Sequence, residues 1–434
     1  MDGWFPDEQV GKAVAKQGPS GWTARLGDTL IFLVMLSSFY QRSTPGVSQP
    51  VLFDLVLILC MGFYFMLGLK FPRGLAWPVA LWGCVLAGYG IGGMTAMYVD
   101  EVTDFIKVST YLVCAFIFFT SYVFEAPEHR LKLMFNGYVV GAVCAALAGI
   151  GGYFGLIPGS DSFTLFGRAM GTFNDPNVFG PYLIPPALYL CLRLSTGKSA
   201  KALLLVPFIG VLVLGILLSF SRGAWGSFLL SGGIFIGLTL ATSRSTAQSL
   251  RLIVFSGFMG LMIVAIVGVA LSTPKIQALF QQRASLTQDY DVGEEGRFDS
   301  QRKAFMMSLE RPLGIGPEQW AIINKLDTHN VYLNILVGGG FLAGLGFLAF
   351  LGLTFVAGKR AVFANGPGQE YLIIAYACII GHMAEAFIID VNNWRHLFVL
   401  FGMTWGCILA AKAQASAPPR RTPRVSHIAT GFAG

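Results

Sequence analysis

Residues 331–356, VYLNILVGGGFLAGLGFLAFLGLTFV, run for 26 positions without a charged side chain. At about 1.5 Å of rise per residue, a helix of that length crosses a hydrocarbon layer about 30 Å thick. Apolar stretches near that length recur about twelve times, at 26–40, 51–69, 75–98, 105–124, 131–156, 177–194, 202–220, 223–242, 252–272, 331–356, 371–389 and 397–411. The 434-residue chain is 54% hydrophobic and 12% charged and holds 36 phenylalanines, more apolar surface than a single soluble core encloses. In lipid every backbone polar group must be satisfied within its own segment. The expectation is therefore an all-α integral membrane protein of about twelve transmembrane helices, with a large loop between the ninth and the tenth.

The basic residues fall on alternate connections. Lys70 and Arg73, Arg130 and Lys132, Arg193 with Lys198 and Lys201, Arg244 and Arg251, and Lys359 and Arg360 occupy one set of short loops, and Arg420, Arg421 and Arg424 occupy the tail. The other short loops carry at most one. Positive charge stays cytoplasmic, which places both termini inside an inner (cell) membrane. The predicted organisation is a cytoplasmic tail over 1–25, spans one to nine over 26–272, a large periplasmic loop with amphipathic helices over 273–328, spans ten to twelve over 329–412, and a disordered cytoplasmic tail over 413–434. The first span has no small-residue cleavage site after it and reads as a retained anchor. The net charge of +7 describes contact with the inner membrane surface rather than with nucleic acid. The seven cysteines all fall in predicted spans without Cys-x-x-Cys spacing, so neither a disulfide framework nor a thiolate metal site is indicated.

The outer side, poor in basic residues, keeps a few in distinctive settings. GRAMGTFNDPN (residues 167–177) holds Arg168 ahead of a turn able to cap the next helix. SFSRGAWGSF (219–228) sets Arg222 in a tight turn between two spans. In the long loop, Ile276, Leu279, Phe280 and Arg283 recur at helical spacing, as do Phe298, Arg302, Phe305, Met306 and Leu309, which predicts two amphipathic helices, the second opening at Arg297 after Glu294 and Glu295. The loop ends at Thr328, His329 and Asn330. An imidazole facing an aqueous cavity there is a candidate acid or base, although a triplet at a span end also reads as a helix cap. His382 lies three residues before Glu385 inside a span, where an internal polar contact is expected. Asp390, Asn392, Asn393, Arg395 and His396 form a further polar outer turn.

The order of GRAMGTFNDPN, SFSRGAWGSF, GRFDSQRKAFMMSLERPLGIGP and THNVYLNILVGGGFLAGLGF on this frame resembles the bacterial O-antigen ligase and polymerase superfamily, which includes exopolysaccharide polymerases and protein O-oligosaccharyltransferases. The resemblance implies a metal-independent glycosyltransferase with a GT-C-like helical membrane fold and no cofactor. Its donor would be a glycan on undecaprenyl diphosphate at the periplasmic face, and its acceptor a glycan or the lipid A core. Matching the family motifs implies that Arg222 and Arg297 act on the diphosphate and that His329 serves as base or acceptor-orienting group. Arg168, Asn330 and Arg395 are candidate substrate-binding residues. Arginine suits a diphosphate because its planar fork donates two hydrogen bonds at once and stays charged when partly desolvated. The rival reading is a lipid-linked-glycan flippase or transporter, which also has about twelve spans but favours repeated halves and charges at mid-depth.

Overall fold

A computed structural model describes residues 21–42, 50–197, 200–243, 245–284 and 296–416. The outer parts of both expected tails, Lys198, Arg244, Glu294 and Glu295 lie outside the described residues.

Among the described residues the regular structure is helical apart from one small hairpin. The first helices are α1 (Trp22–Ser37), α2 (Leu52–Met66), α3 (Ala76–Gly93), α4 (Val99–Glu125) and α5 (Pro127–Tyr153), followed by strands β1 (Thr164–Leu165) and β2 (Arg168–Ala169). Next come α6 (Pro176–Tyr182), α7 (Ile184–Thr196), α8 (Val206–Leu218), α9 (Arg222–Thr242) and α10 (Thr246–Leu271). The long loop holds α11 (Pro274–Ala284), α12 (Arg297–Glu310) and α13 (Gln319–Asn324), and the chain continues through α14 (Val331–Phe363), α15 (Gln369–Glu385) and α16 (Arg395–Ser416). Helix occupies every one of the twelve apolar stretches. Among the described residues nine helical segments are long and apolar enough to cross a membrane, with α6 and α7 together forming one of them. The remaining three, α1, α2 and α15, have 16, 15 and 17 residues. At about 1.5 Å per residue each is a few ångströms short of a 30 Å layer, which is why helix length alone yields nine rather than twelve.

Helix α16 is the centre of the bundle, buried almost without interruption from Arg395 to Ala411 and packed on α4 and α15. Helix α10 stands at the rim, with Ile253, Val254, Leu261 and Val264 facing outward.

The Gly338, Gly339, Gly340 run, which predicts an irregular helix, is where α14 breaks: Gly340 adopts φ 67° and ψ −167°. The backbone groups exposed by the break are taken up by the loop after α12. Ile315 N–H donates to the Val337 carbonyl and Gly316 N–H to that of Gly338, both at 2.9 Å, while Phe341 N–H donates to the Pro312 carbonyl at 2.9 Å. Irregular backbone inside a bundle persists only when it is satisfied in this way. A Cβ at residue 340 would collide with the Pro312 carbonyl oxygen, and its φ lies in the region that favours glycine. Gly340→Val is expected to destabilise by about 2–5 kcal/mol through strain and overpacking. Thermal unfolding in detergent should show a lowered midpoint; a wild-type midpoint would refute this role for the break.

The two helices foreseen in the long loop are α11 and α12; the short α13 carries no periodic signal. Ile276 of α11 is buried against the bundle. In α12 the side that packs inward is Ser300, Ala304 and Ser308, whereas Phe298, Phe305, Met306 and Leu309 are exposed. Ser300 explains the inversion. Its hydroxyl accepts from Trp320 Nε1 at 3.1 Å and Asn324 Nδ2 at 3.0 Å, and it lies 3.2 Å from the carbonyls of Leu326 and Asp327. The apolar side of α12 is thus turned outward, the orientation required of a helix resting on lipid.

Candidate functional site

Four chain segments carry four of the six sequence-predicted residues, Arg168, Arg222, Arg297 and His329, to one place. Leu165 and Arg168 pair across a two-residue hairpin turn whose central residues, Phe166 and Gly167, have φ of 50° and 71°. Positive φ at both positions gives the twist that a two-residue hairpin needs. The turn presents Arg168 inward, where it is 8% exposed; its Nε donates to the Ser219 carbonyl at 2.8 Å and its Nη2 to Asn177 Oδ1 at 2.6 Å. Asp175 caps α6, accepting from Asn177 N–H at 2.7 Å. Ser219 and Asn177 thereby tie the hairpin to the ends of α8 and α6.

The second segment is the tight turn before α9. Phe220 takes φ 45°, Ser221 caps the helix by accepting from Ala224 N–H at 3.3 Å, and Arg222 is the first helical residue. Arg297 occupies the same place in α12, immediately after Gly296.

The fourth segment is Thr328, His329 and Asn330, in which the helix-cap reading is met by Asn330. Asn330 is the cap of α14: its Oδ1 accepts from Tyr332 N–H and Leu333 N–H, each at 3.1 Å, and its Nδ2 donates to the Phe387 carbonyl at 3.2 Å. Thr328 is fully buried. Its hydroxyl lies 3.3 Å from Asp390 Oδ1, which also accepts from Asn330 N–H at 3.1 Å. Held on both sides, His329 projects from φ 45° with its side chain 38% exposed, Nδ1 standing 3.9 Å from Asp390 Oδ2. Left-handed backbone at a non-glycine residue costs on the order of 1–3 kcal/mol and concentrates where function requires it; Phe220 and His329 both adopt it and both face the same cavity.

That cavity has a volume of about 200 Å³ and is lined by Arg168, Arg222, Arg297 and His329 together with Asn177 and Glu385. Helices α6, α9, α12 and α14 all begin at it. Their N-terminal ends add positive potential to that of three guanidinium groups, a setting suited to a bound anion.

Glu385 is the residue whose place the sequence did not reveal. The expected contact with His382 is present, Nδ1 to Oε2 at 3.8 Å, and His382 also meets Ser227 Oγ at 3.1 Å. Yet the carboxylate, 3% exposed as a residue, also reaches the arginine cavity, and neither oxygen makes a hydrogen bond among the described residues. It sits so close to the start of α9 that a Cβ at Gly223 would lie 2.7 Å from its Oε1. The only available signal was a carboxylate at the outer end of an apolar span.

The structure does not bring Asn330 or Arg395 to this cavity. Asn330 is occupied as a cap. Arg395, 6% exposed, makes a two-pronged pair with Asp54, Nε to Oδ1 and Nη2 to Oδ2 both at 2.7 Å, which joins α16 to the start of α2. Asp54 is itself buried. Removing one partner leaves an uncompensated buried charge at a cost of about 3–5 kcal/mol. Asp54→Ala is accordingly expected to lose most folded protein on size-exclusion chromatography and Asp54→Ala with Arg395→Met to recover part of it; equal yields for the wild type and the single variant would contradict the clamp.

No curated protein matches this sequence. A family model described as O-Antigen ligase matches residues 207–348, about a third of the chain. The matched stretch contains Arg222, Arg297 and His329; Arg168 and Glu385 enter the cavity from outside it. Members of that family are membrane enzymes of the glycosyltransferase type that act on glycan and lipid-linked substrates. The chain is a multi-pass membrane protein whose residues 207–348 are similar to the O-antigen ligase family.

Proposed function

We propose that the protein transfers a glycan from undecaprenyl diphosphate to an acceptor hydroxyl at the periplasmic face of the inner membrane, with all twelve apolar helices crossing and both termini cytoplasmic. The observation that carries this reading is the gathering of Arg168, Arg222, Arg297 and His329 around one cavity at which four helices begin.

The transfer breaks the bond between the anomeric carbon and the diphosphate oxygen and forms one from that carbon to the acceptor oxygen. The electron pair leaves on the diphosphate, where negative charge grows in the transition state. Arg222 and Arg297, at the N-termini of α9 and α12, are placed to stabilise that charge as it develops, and Arg168 to fix the ground-state diphosphate. His329 takes the proton from the acceptor hydroxyl as the new bond forms, with Asp390 Oδ2 standing 3.9 Å from its Nδ1. A groove lined by Phe154, Leu214, Met262, Ile266, Val269 and Ile276 lies along α8 and α10 and suits an isoprenyl chain.

Glu385 sets a carboxyl group on the wall of the same cavity. Glu385→Gln keeps its shape and puts an amide where the carboxyl stood, so binding of the diphosphate and transfer are both expected to hold or rise, because no like charge then faces the one that grows on the leaving group. Weaker diphosphate binding by this variant would show that the carboxylate acts by orienting the arginines. The reading as a whole is tested by supplying purified protein with a lipid-diphosphate glycan and separate acceptors. Release of free lipid diphosphate in step with glycosylated acceptor supports it; movement of intact labelled lipid across a vesicle without bond cleavage supports a flippase instead.

A further inference from the structure

A second cavity, of about 310 Å³, is lined by Asp390, whose Oδ2 stands 3.9 Å from Nδ1 of His329 on the wall of the arginine cavity. Its character is opposite. Asp175, Glu318, Asp327 and Asp390 face it, with the amides of Asn334 and Asn392. The single cation on its wall, Arg395, is already neutralised by both carboxylate oxygens of Asp54. The carboxylates are spread along the wall: no three His, Cys, Asp or Glu side chains among the described residues converge as a metal-binding group.

Two buried oxygens mark this wall as unfinished. Asn392 uses its Nδ2 on Asn334 Oδ1 at 2.7 Å, but its own Oδ1 is buried without a hydrogen-bond partner, as is Asp390 Oδ2. Buried polar atoms left so ask for a ligand or an ordered water. Glu318 adopts φ 64°, a left-handed conformation held in a long-chain residue that gains no cap hydrogen bond from it.

We propose that this polar cavity is the acceptor subsite and that it takes a neutral or amino-bearing sugar while rejecting an acidic one; the assignment to the acceptor rests on the glycosyl-transfer reading above. Carboxylate and amide oxygens accept from sugar hydroxyls, and amide N–H groups donate to them, which is the donor and acceptor mixture a pyranose ring presents. A sugar ammonium would meet four carboxyl groups, among them Asp390, which burial and the charge of Asp327 hold well above the usual carboxylate range, and a uronate would find no uncompensated cation on the wall to pair with. The wall is already under-compensated: burial, with the charges of Asp327 and Glu101, pushes the Glu318 carboxyl up to about 7. A cation in the cavity relieves that condition and an anion worsens it. The placement also connects the chemistry. A sugar lying against Asp390 would sit beside His329, whose Nδ1 is 3.9 Å from Asp390 Oδ2 and which also lines the donor cavity.

The test uses the full-length protein in lipid nanodiscs and three probes measured by calorimetry: cellotriose, the fully deacetylated chitosan trisaccharide and trigalacturonate. The wild type is expected to bind the neutral and the amino trisaccharide at least about tenfold more tightly than the uronate, the scale of like-charge rejection at a partly buried surface. Glu318→Gln should narrow the ratio of amino to uronate affinity about threefold or more, and Asn393→Asp, on the exposed part of the same wall, should widen it. Pyrophosphate binding, measured in parallel, should be unchanged in both variants and weakened in Arg222→Ala. Uronate bound as tightly as the amino trisaccharide, binding of none of the three, or a ratio unmoved by both substitutions overturns the subsite. Failure of pyrophosphate to bind would instead remove the donor reading while leaving the sugar preference to be judged on its own affinities.

Discussion

His329→Ala is expected to lower glycan transfer by about 10²–10⁴-fold, the usual contribution of a positioned general base, in a protein that still inserts and keeps its thermal midpoint. The structure separates the two effects. The cap of α14 is Asn330 and the buried hydroxyl is that of Thr328, so neither leaves with the imidazole, and a side chain already 38% exposed gives up little packing. The backbone at φ 45° is tolerated better by asparagine than by alanine. His329→Asn therefore serves as the companion variant, equally inactive and less strained. Asn330→Ala should behave in the opposite way, losing about 1 kcal/mol of stability from the missing cap and only secondarily losing activity. Substantial transfer by His329→Asn would remove the base from the mechanism.

Arg222→Ala and Arg297→Ala are expected to weaken diphosphate binding about 10- to 100-fold, the worth of charge-assisted hydrogen bonds of 1.5–3 kcal/mol. Transfer should fall further, because the charge they face grows toward the transition state. Lysine at either position should restore only part of the loss, since it keeps the charge but not the planar fork. Direct measurement of lipid-diphosphate binding alongside turnover distinguishes these outcomes. An alanine variant that binds donor normally and turns it over slowly would assign that arginine to the transition state alone.

The class of fold was legible because apolar run length is nearly a direct reading of bilayer thickness. All twelve runs became helices. What run length did not convey is how far each helix extends beyond its apolar residues: α14 continues to Phe363, whereas α1, α2 and α15 stop short of a full crossing. Pro185 and Pro186 mark a broken sixth span, but the break falls at Leu183, ahead of them, because a proline at the second position of α7 needs no N–H partner.

The arginine site was legible in part. Arg168, Arg222, Arg297 and His329 each sit beside a turn signal at a helix or hairpin boundary, and those signals survive without knowledge of tertiary structure. Glu385 and the polar cavity were not legible, since both arise where α15, the turn after it and the residues before α14 meet, and no local pattern records that meeting. Arg395 shows the converse. Its outer position in the sequence matched that of a ligand-binding arginine, but its partner Asp54 lies 341 positions earlier in the chain and only folding brings the two together.

The central claim is that one cavity binds the leaving diphosphate while His329 activates the incoming hydroxyl. Its most direct test is single-turnover transfer from a lipid-diphosphate glycan by the wild type and by His329→Asn, with donor binding measured on the same samples. The account predicts equal donor affinity in the two proteins, stoichiometric release of lipid diphosphate by the wild type, and almost none by the variant. Equal release by both, or loss of donor binding together with activity, would contradict it.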